Sequence, residues 1–148
     1  MTREEFIKFL NGIRQRYKIE EDNLIVFDSG LKVNNISLGI VSLPENVVFE
    51  NSGSVSLDYL DFLPPNTTFS NKGAVSLSGL KKISKGVKFI NEGSVELWGL
   101  KTIPVDFKFY NKGLVYTKNF HAFKFNGLID GIEFIPLFNL MIKQGLFQ

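Results

Sequence analysis

One motif recurs along this chain at a fixed interval and limits what it can fold into. Phe-x-Asn-x-Gly-x-Val occurs at Phe49/Asn51/Gly53/Val55, Phe69/Asn71/Gly73/Val75, Phe89/Asn91/Gly93/Val95 and Phe109/Asn111/Gly113/Val115, 20 residues apart each time. Three more columns keep the same step: Leu57, Leu77, Leu97 and Thr117; Leu60, Leu80, Leu100 and Phe120; and Leu63, Ile83, Ile103 and Phe123. A looser copy runs from Phe27-Asp28-Ser29-Gly30 through Ile36, Leu38, Ile40 and Leu43. Self-similarity at one period is the signature of a repeat architecture, in which each unit covers its neighbour.

Within a unit, apolar residues alternate, as in Val87-x-Phe89-x-Asn91-x-Gly93-x-Val95-x-Leu97. Period two predicts extended chain with these positions on one face. A 20-residue unit with two short strands cannot bury that face alone, but stacked copies can, with parallel strands roughly 4.8 Å apart. The Leu60-x-x-Leu63-Pro segment turns along a third side, where proline ends the ladder because it has no N–H to donate. Glycine suits the corner between strands. The inward Asn51, Asn71, Asn91 and Asn111 need partners once buried, and stacked amides can bond to one another and to the corner backbone. They are expected to form a structural ladder.

The segments LPENVVFENSGSVSL, LPPNTTFSNKGAVSL, ISKGVKFINEGSVEL and IPVDFKFYNKGLVYT resemble the short leucine-rich-repeat-like solenoids of bacterial and phage proteins, over about residues 27–123. Asn comes one residue early after the strand and there is no helical segment, so a compact, nearly straight coil is expected rather than a wide horseshoe. The fold expectation is mainly β: a right-handed parallel β-solenoid of about four to five coils over 24–123, in a single domain. The resemblance implies protein–protein recognition in a generic sense.

Both ends of a parallel solenoid expose strand edges and need covers. Residues 2–18 are expected to be a capping helix. Thr2 and Glu5 form a capping box, Phe6, Phe9, Leu10, Ile13 and Tyr17 share a helical face, and Arg14, Arg16 and Lys18 stand in the last turns. Residues 124–148 are expected to form a mixed, apolar C-terminal cap whose surplus of apolar side chains makes it a candidate homodimerisation segment.

If odd strand positions point inward, the even ones point out. Early turns then present small polar residues, and late turns present Ile90, Trp98, Tyr110, Leu114 and Tyr116. Charge follows the same division. Residues 1–69 hold 6 basic and 10 acidic side chains, whereas residues 70–124 hold 10 Lys and 3 acids, within an overall net charge of +2. Lys88, Lys108 and Lys118 therefore join the aromatic residues as candidate partner-binding residues, since exposed aromatics dominate binding hot spots. Lysine with aromatics fits an acidic protein surface or single-stranded RNA, although arginine, the better phosphate ligand, is missing from that half.

Chemistry is sparse. With no Cys, thiol nucleophiles and Cys-ligated metals are excluded, and a single His argues against a His-based metal site or charge relay. Asp58 and Asp61 are the nearest approach to a carboxylate pair, and they read as a solvated turn. His121 adjoins the Phe120/Phe123 columns with no Ser–Asp constellation. Asn-x-Gly lies between strands, not in the strand–loop–helix setting of a phosphate loop. The glycosylation patterns at Asn35 and Asn66 lack a secretory signal. No run approaches the ~18 apolar residues of a membrane helix. The expectation is a cytoplasmic, non-enzymatic protein-binding module without cofactor or metal. Its concrete form is an anti-CRISPR-type inhibitor from a mobile element, engaging a nuclease or ribonucleoprotein. The alternatives are an RNA-binding protein and a self-assembling repeat.

Overall fold

The computed structural model describes residues 1–28, 35–100, 108–109, 113–117 and 120–124. They form one N-terminal helix followed by a parallel β-solenoid of about three turns, fewer than the four to five coils expected. The first sheet stacks β2 (Asn23–Phe27), β4 (Val47–Glu50), β7 (Thr68–Phe69), β10 (Lys88–Phe89) and β12 (Lys108–Phe109) in parallel. The second stacks β3 (Ile36–Ser37), β5 (Val55–Ser56), β8 (Val75–Ser76), β11 (Val95–Leu97) and β13 (Leu114–Thr117), also in parallel. The third side pairs β6 (Phe62–Leu63) with β9 (Lys82–Ile83).

Register explains why the columns repeat. Phe49 faces Phe69 and Phe69 faces Phe89, and their buried rings stack at centroid separations of 5.2 and 5.0 Å, within 12° of parallel. Val55, Val75 and Val95 line up on the second sheet, with Leu57, Leu77 and Leu97 beside them in the core. Leu60 and Leu80, Leu63 and Ile83 close the core from the third side. Full burial of each such side chain contributes about 1.5–3 kcal/mol.

The glycines of the motif are required by proximity. A Cβ on Gly73 would lie 2.5 Å from the carbonyl carbon of Gly53, and one on Gly93 would lie 2.4 Å from that of Gly73. No side chain fits where consecutive turns of backbone approach so closely.

The ends depart from expectation. The helix α1 spans Arg3–Gly12, not 2–18, with Thr2 and Glu5 completing the capping box. Its C-cap is Ile13, which is exposed, and Arg14 takes a left-handed φ of 57° that leads the chain out of the helix. Tyr17 is not on a helical face, and Arg14, Arg16 and Lys18 are not in the helix's last turn. Strand β1 (Tyr17–Glu20) instead runs antiparallel to β2 and covers the edge of the first sheet. Phe6 and Leu10 are buried in the core, and Ile7, Phe9 and Tyr17 pack against it. The outer strand carries an exposed Lys18–Glu20 ion pair at 2.9 Å, the kind of charged edge that discourages further strand pairing.

The first, loose copy is also shifted. Val26, not Phe27, faces Phe49, while Phe27 faces the exposed Glu50. A one-residue slip exchanges the two faces of a strand. At the other end, β14 (Phe120–Lys124) returns antiparallel to β13, placing Phe123 opposite Val115 and Phe120 opposite Thr117. Phe120 and Phe123 therefore do not continue the Leu60 and Leu63 columns of the third side. The expected cap and dimerisation segment beyond residue 124 lies outside the described residues.

Candidate functional site

Inside the corner between the first two sheets, the asparagines form a ladder. The Asn51 N–H donates to Asn71 Oδ1 and the Asn71 N–H to Asn91 Oδ1, both at 3.1 Å. Asn71 Nδ2 also reaches Asn91 Oδ1 at 3.2 Å, and Asn51 Nδ2 donates to the Ser54 carbonyl at 3.2 Å. All three asparagines are buried. Asn91 Nδ2 has no acceptor among the described residues; Asn111, the next member of the column, lies outside them. Extending the β2–β4 register by one residue places Asp28 opposite Asn51. Its carboxylate accepts from both the N–H and the hydroxyl of Ser52.

A second polar column follows the third side. Asn46 and Asn66 have left-handed φ values of 60° and 61°, and Gly86 takes the same region at 76°. Asn66 Nδ2 donates to Asn46 Oδ1 at 2.9 Å. A Cβ on Gly86 would press on Asn66 Oδ1, so glycine leaves room for that amide. This column was not anticipated. Its signal is Asn46, Asn66, Gly86 and Asp106 at 20-residue steps, residue types that tolerate positive φ.

On the outer surface of the second sheet, serines and acids bond across turns. Asp58 accepts from Ser76 Oγ at 2.5 Å, Ser56 Oγ at 2.9 Å and the Ser78 N–H at 3.0 Å. Ser76 Oγ also lies 3.1 Å from Glu96 Oε2. Partial burial alone pushes the Asp58 carboxyl up, but these hydrogen bonds to its charged form outweigh that effect and hold it below the ordinary carboxylate range. Asp58 is thus committed to the serines and makes no pair with Asp61. Among the described residues no group of three or more His, Cys, Asp or Glu side chains converges to hold a metal.

The candidate binding residues do not share one surface. Lys88 and Ile90 are exposed on the first sheet and at its end, where Lys108 also contributes to β12. Trp98, partly buried, directly follows β11, and Leu114 and Tyr116 belong to β13, all on the second sheet. Tyr110 and Lys118 lie outside the described residues. The lysines are divided further, because Lys81, Lys82 and Lys85 stand exposed on the third side. Two exposed aromatic residues escaped the sequence reading: Tyr59, 72% exposed at the corner leading to the third side, and Phe62, 41% exposed on β6.

No helix among the described residues is long and apolar enough to cross a membrane. No family model, curated protein or solved structure matches the chain.

Proposed function

We propose that this chain is a non-enzymatic protein-binding module, a rigid scaffold whose outer columns carry the recognition. The observation that carries this reading is the contrast between its two surfaces. Inward columns repeat one residue type turn after turn: Phe49, Phe69, Phe89; Asn51, Asn71, Asn91; Val55, Val75, Val95. Outward columns are less regular: serine recurs at Ser37, Ser56 and Ser76, but others change at each step, as Glu50, Ser70, Ile90; Asp58, Ser78, Trp98; and Phe62, Lys82. A stack of this kind holds its shape by internal ladders and leaves the outside to vary, as in other repeat scaffolds that bind partners. Exposed Tyr59, Phe62 and Ile90 supply the aromatic and aliphatic contacts that anchor interfaces.

The division of lysines between the first sheet and the third side favours a protein target over a nucleic acid, which needs a continuous basic track for its phosphates. An inhibitor that occupies a surface of a nuclease or ribonucleoprotein is one form of this activity. Affinity capture with the full chain from bacterial lysate, with and without RNase, tests the reading. The expected result is one protein retained in stoichiometric amount in both lanes and lost with Ile90→Ala/Trp98→Ala or Tyr59→Ser/Phe62→Ser. Capture abolished by RNase would replace it with RNA binding.

A further inference from the structure

We infer that the third side of the solenoid is a docking face for an acidic, aromatic-containing segment of a partner protein, an assignment that rests on the protein-binding reading above. Phe62 and Lys82 are register neighbours on β6 and β9, while the next residues, Leu63 and Ile83, are buried. Phe62 and Lys82 therefore stand side by side on the outer surface. Lys81 and Lys82 both donate their N–H to the Asp61 carbonyl, at 2.9 and 3.2 Å, which fixes that strand against the turn before it. Lys85 follows on the same side, its carbonyl accepting from the Asn66 N–H at 3.3 Å.

Lys81, Lys82 and Lys85 are all exposed, and none is in an ion pair among the described residues, although Asp61 lies one turn away. Three like charges within five residues, outnumbering the carboxylate of Asp61 one turn away, produce a net positive potential that an acidic ligand relieves. Tyr59 and Phe62 flank it with exposed aromatic surface.

The surroundings select the ligand. Toward the N-terminal end the same side carries exposed Glu45 and Asp61, and around the corner the second sheet carries Asp58 and Glu96. A phosphodiester chain bears a charge at every nucleotide and would lay phosphates over these carboxylates if it ran toward the N-terminal end or around that corner. A peptide can set its acids over the lysines and its aromatic side chains against Phe62 and Tyr59.

The test is fluorescence anisotropy of the full chain with a labelled peptide of alternating glutamate and phenylalanine, and separately with oligouridylate. The peptide should bind, weaken with added salt, and lose at least about tenfold in affinity with K81E/K82E/K85E, a cost of ~1.4 kcal/mol. K72E/K88E, which changes lysines on other sides, should lose less than about twofold. The neutral K81Q/K82Q/K85Q gives the same comparison if charge reversal disturbs folding, which thermal melts would reveal. No peptide binding, equal loss in both sets, or tighter binding of oligouridylate overturns the assignment. A captured partner held equally by the wild-type chain and K81E/K82E/K85E overturns this face while leaving the binding module intact.

Discussion

The side-chain amide of Asn66 donates to the side-chain oxygen of Asn46, 20 residues earlier, and both residues hold left-handed backbone. One residue type meets two demands there: it tolerates positive φ, and it bridges adjacent turns. The two demands can be separated. Asn66→Gly keeps the backbone and loses the bridge, and should cost about 0.5–1.5 kcal/mol, the value of one hydrogen bond. Asn66→Ala loses both and should cost about 1–2 kcal/mol more, since a left-handed Cβ is strained. Urea unfolding of the two variants measures the difference; equal losses would show that the backbone conformation is not limiting.

The buried ladder makes a sharper demand. Asn71→Leu removes the acceptor for the Asn51 N–H and the side-chain donor to the Asn91 oxygen, which keeps only the backbone N–H of residue 71. An unsatisfied buried group costs about 1–3 kcal/mol and a lost hydrogen bond about 0.5–1.5 kcal/mol, so a loss of about 2–4 kcal/mol is expected in chemical denaturation, despite the gain in hydrophobicity.

Glycine at the corner is tested by addition of one methyl group. Gly93→Ala would drive a Cβ to 2.4 Å from the Gly73 carbonyl carbon, between two backbones that cannot yield independently. Loss of more than ~3 kcal/mol, or of soluble protein altogether, is expected. Gly12→Ala, at a helix end with nothing within 4 Å of the added atom, should be neutral or stabilising by up to ~1 kcal/mol.

In the ring stack, Phe69 lies between Phe49 and Phe89 with no exposed surface. Phe69→Ala should cost about 3–5 kcal/mol in the same assay. Tyr59→Ser, at an exposed corner, should change stability by less than ~0.5 kcal/mol.

Acid should weaken the fold through Asp58. Its carboxyl is held below the ordinary range by hydrogen bonds to the charged form, so its contribution is fully present above the unfolded-state value of about 4. That contribution disappears as pH falls through the lower, folded-state value. Asp58→Asn should therefore be less stable than wild type at neutral pH, and the gap should close as pH falls through the lowered, folded-state value. A gap independent of pH would mean that the serine network senses shape, not charge.

The repeat could be read from its columns because inward residues recur at an unbroken step, and hard-sphere packing between turns punishes any slip. Val26 shows where that reading fails. The spacing to the next copy changes there, and a bulky Phe27 one position later mimics the motif although its strand neighbour is the exposed Glu50. Helical periodicity ran on through Tyr17 because a side chain that packs on the core from a strand fits an amphipathic helix equally well. The left-handed turn that breaks that pattern falls on Arg14, and Gly12, the last residue of α1, was the one local signal of it. Outward faces were only half legible: alternation tells inside from outside, but not which of three sides a lysine joins. Lys82 became a neighbour of Phe62 only once β6 and β9 were paired.

The step between turns also sets how the molecule comes together. Asn51 meets Asn71, Phe69 meets Phe89 and Val75 meets Val95, each pair 20 residues apart. Loop closure within the solenoid therefore costs what one turn costs, whatever the total length of the coil. Folding can start at any adjacent pair of turns and zip outward in both directions. The speed-limiting event is the first pairing, and each later turn lands on a template already in place.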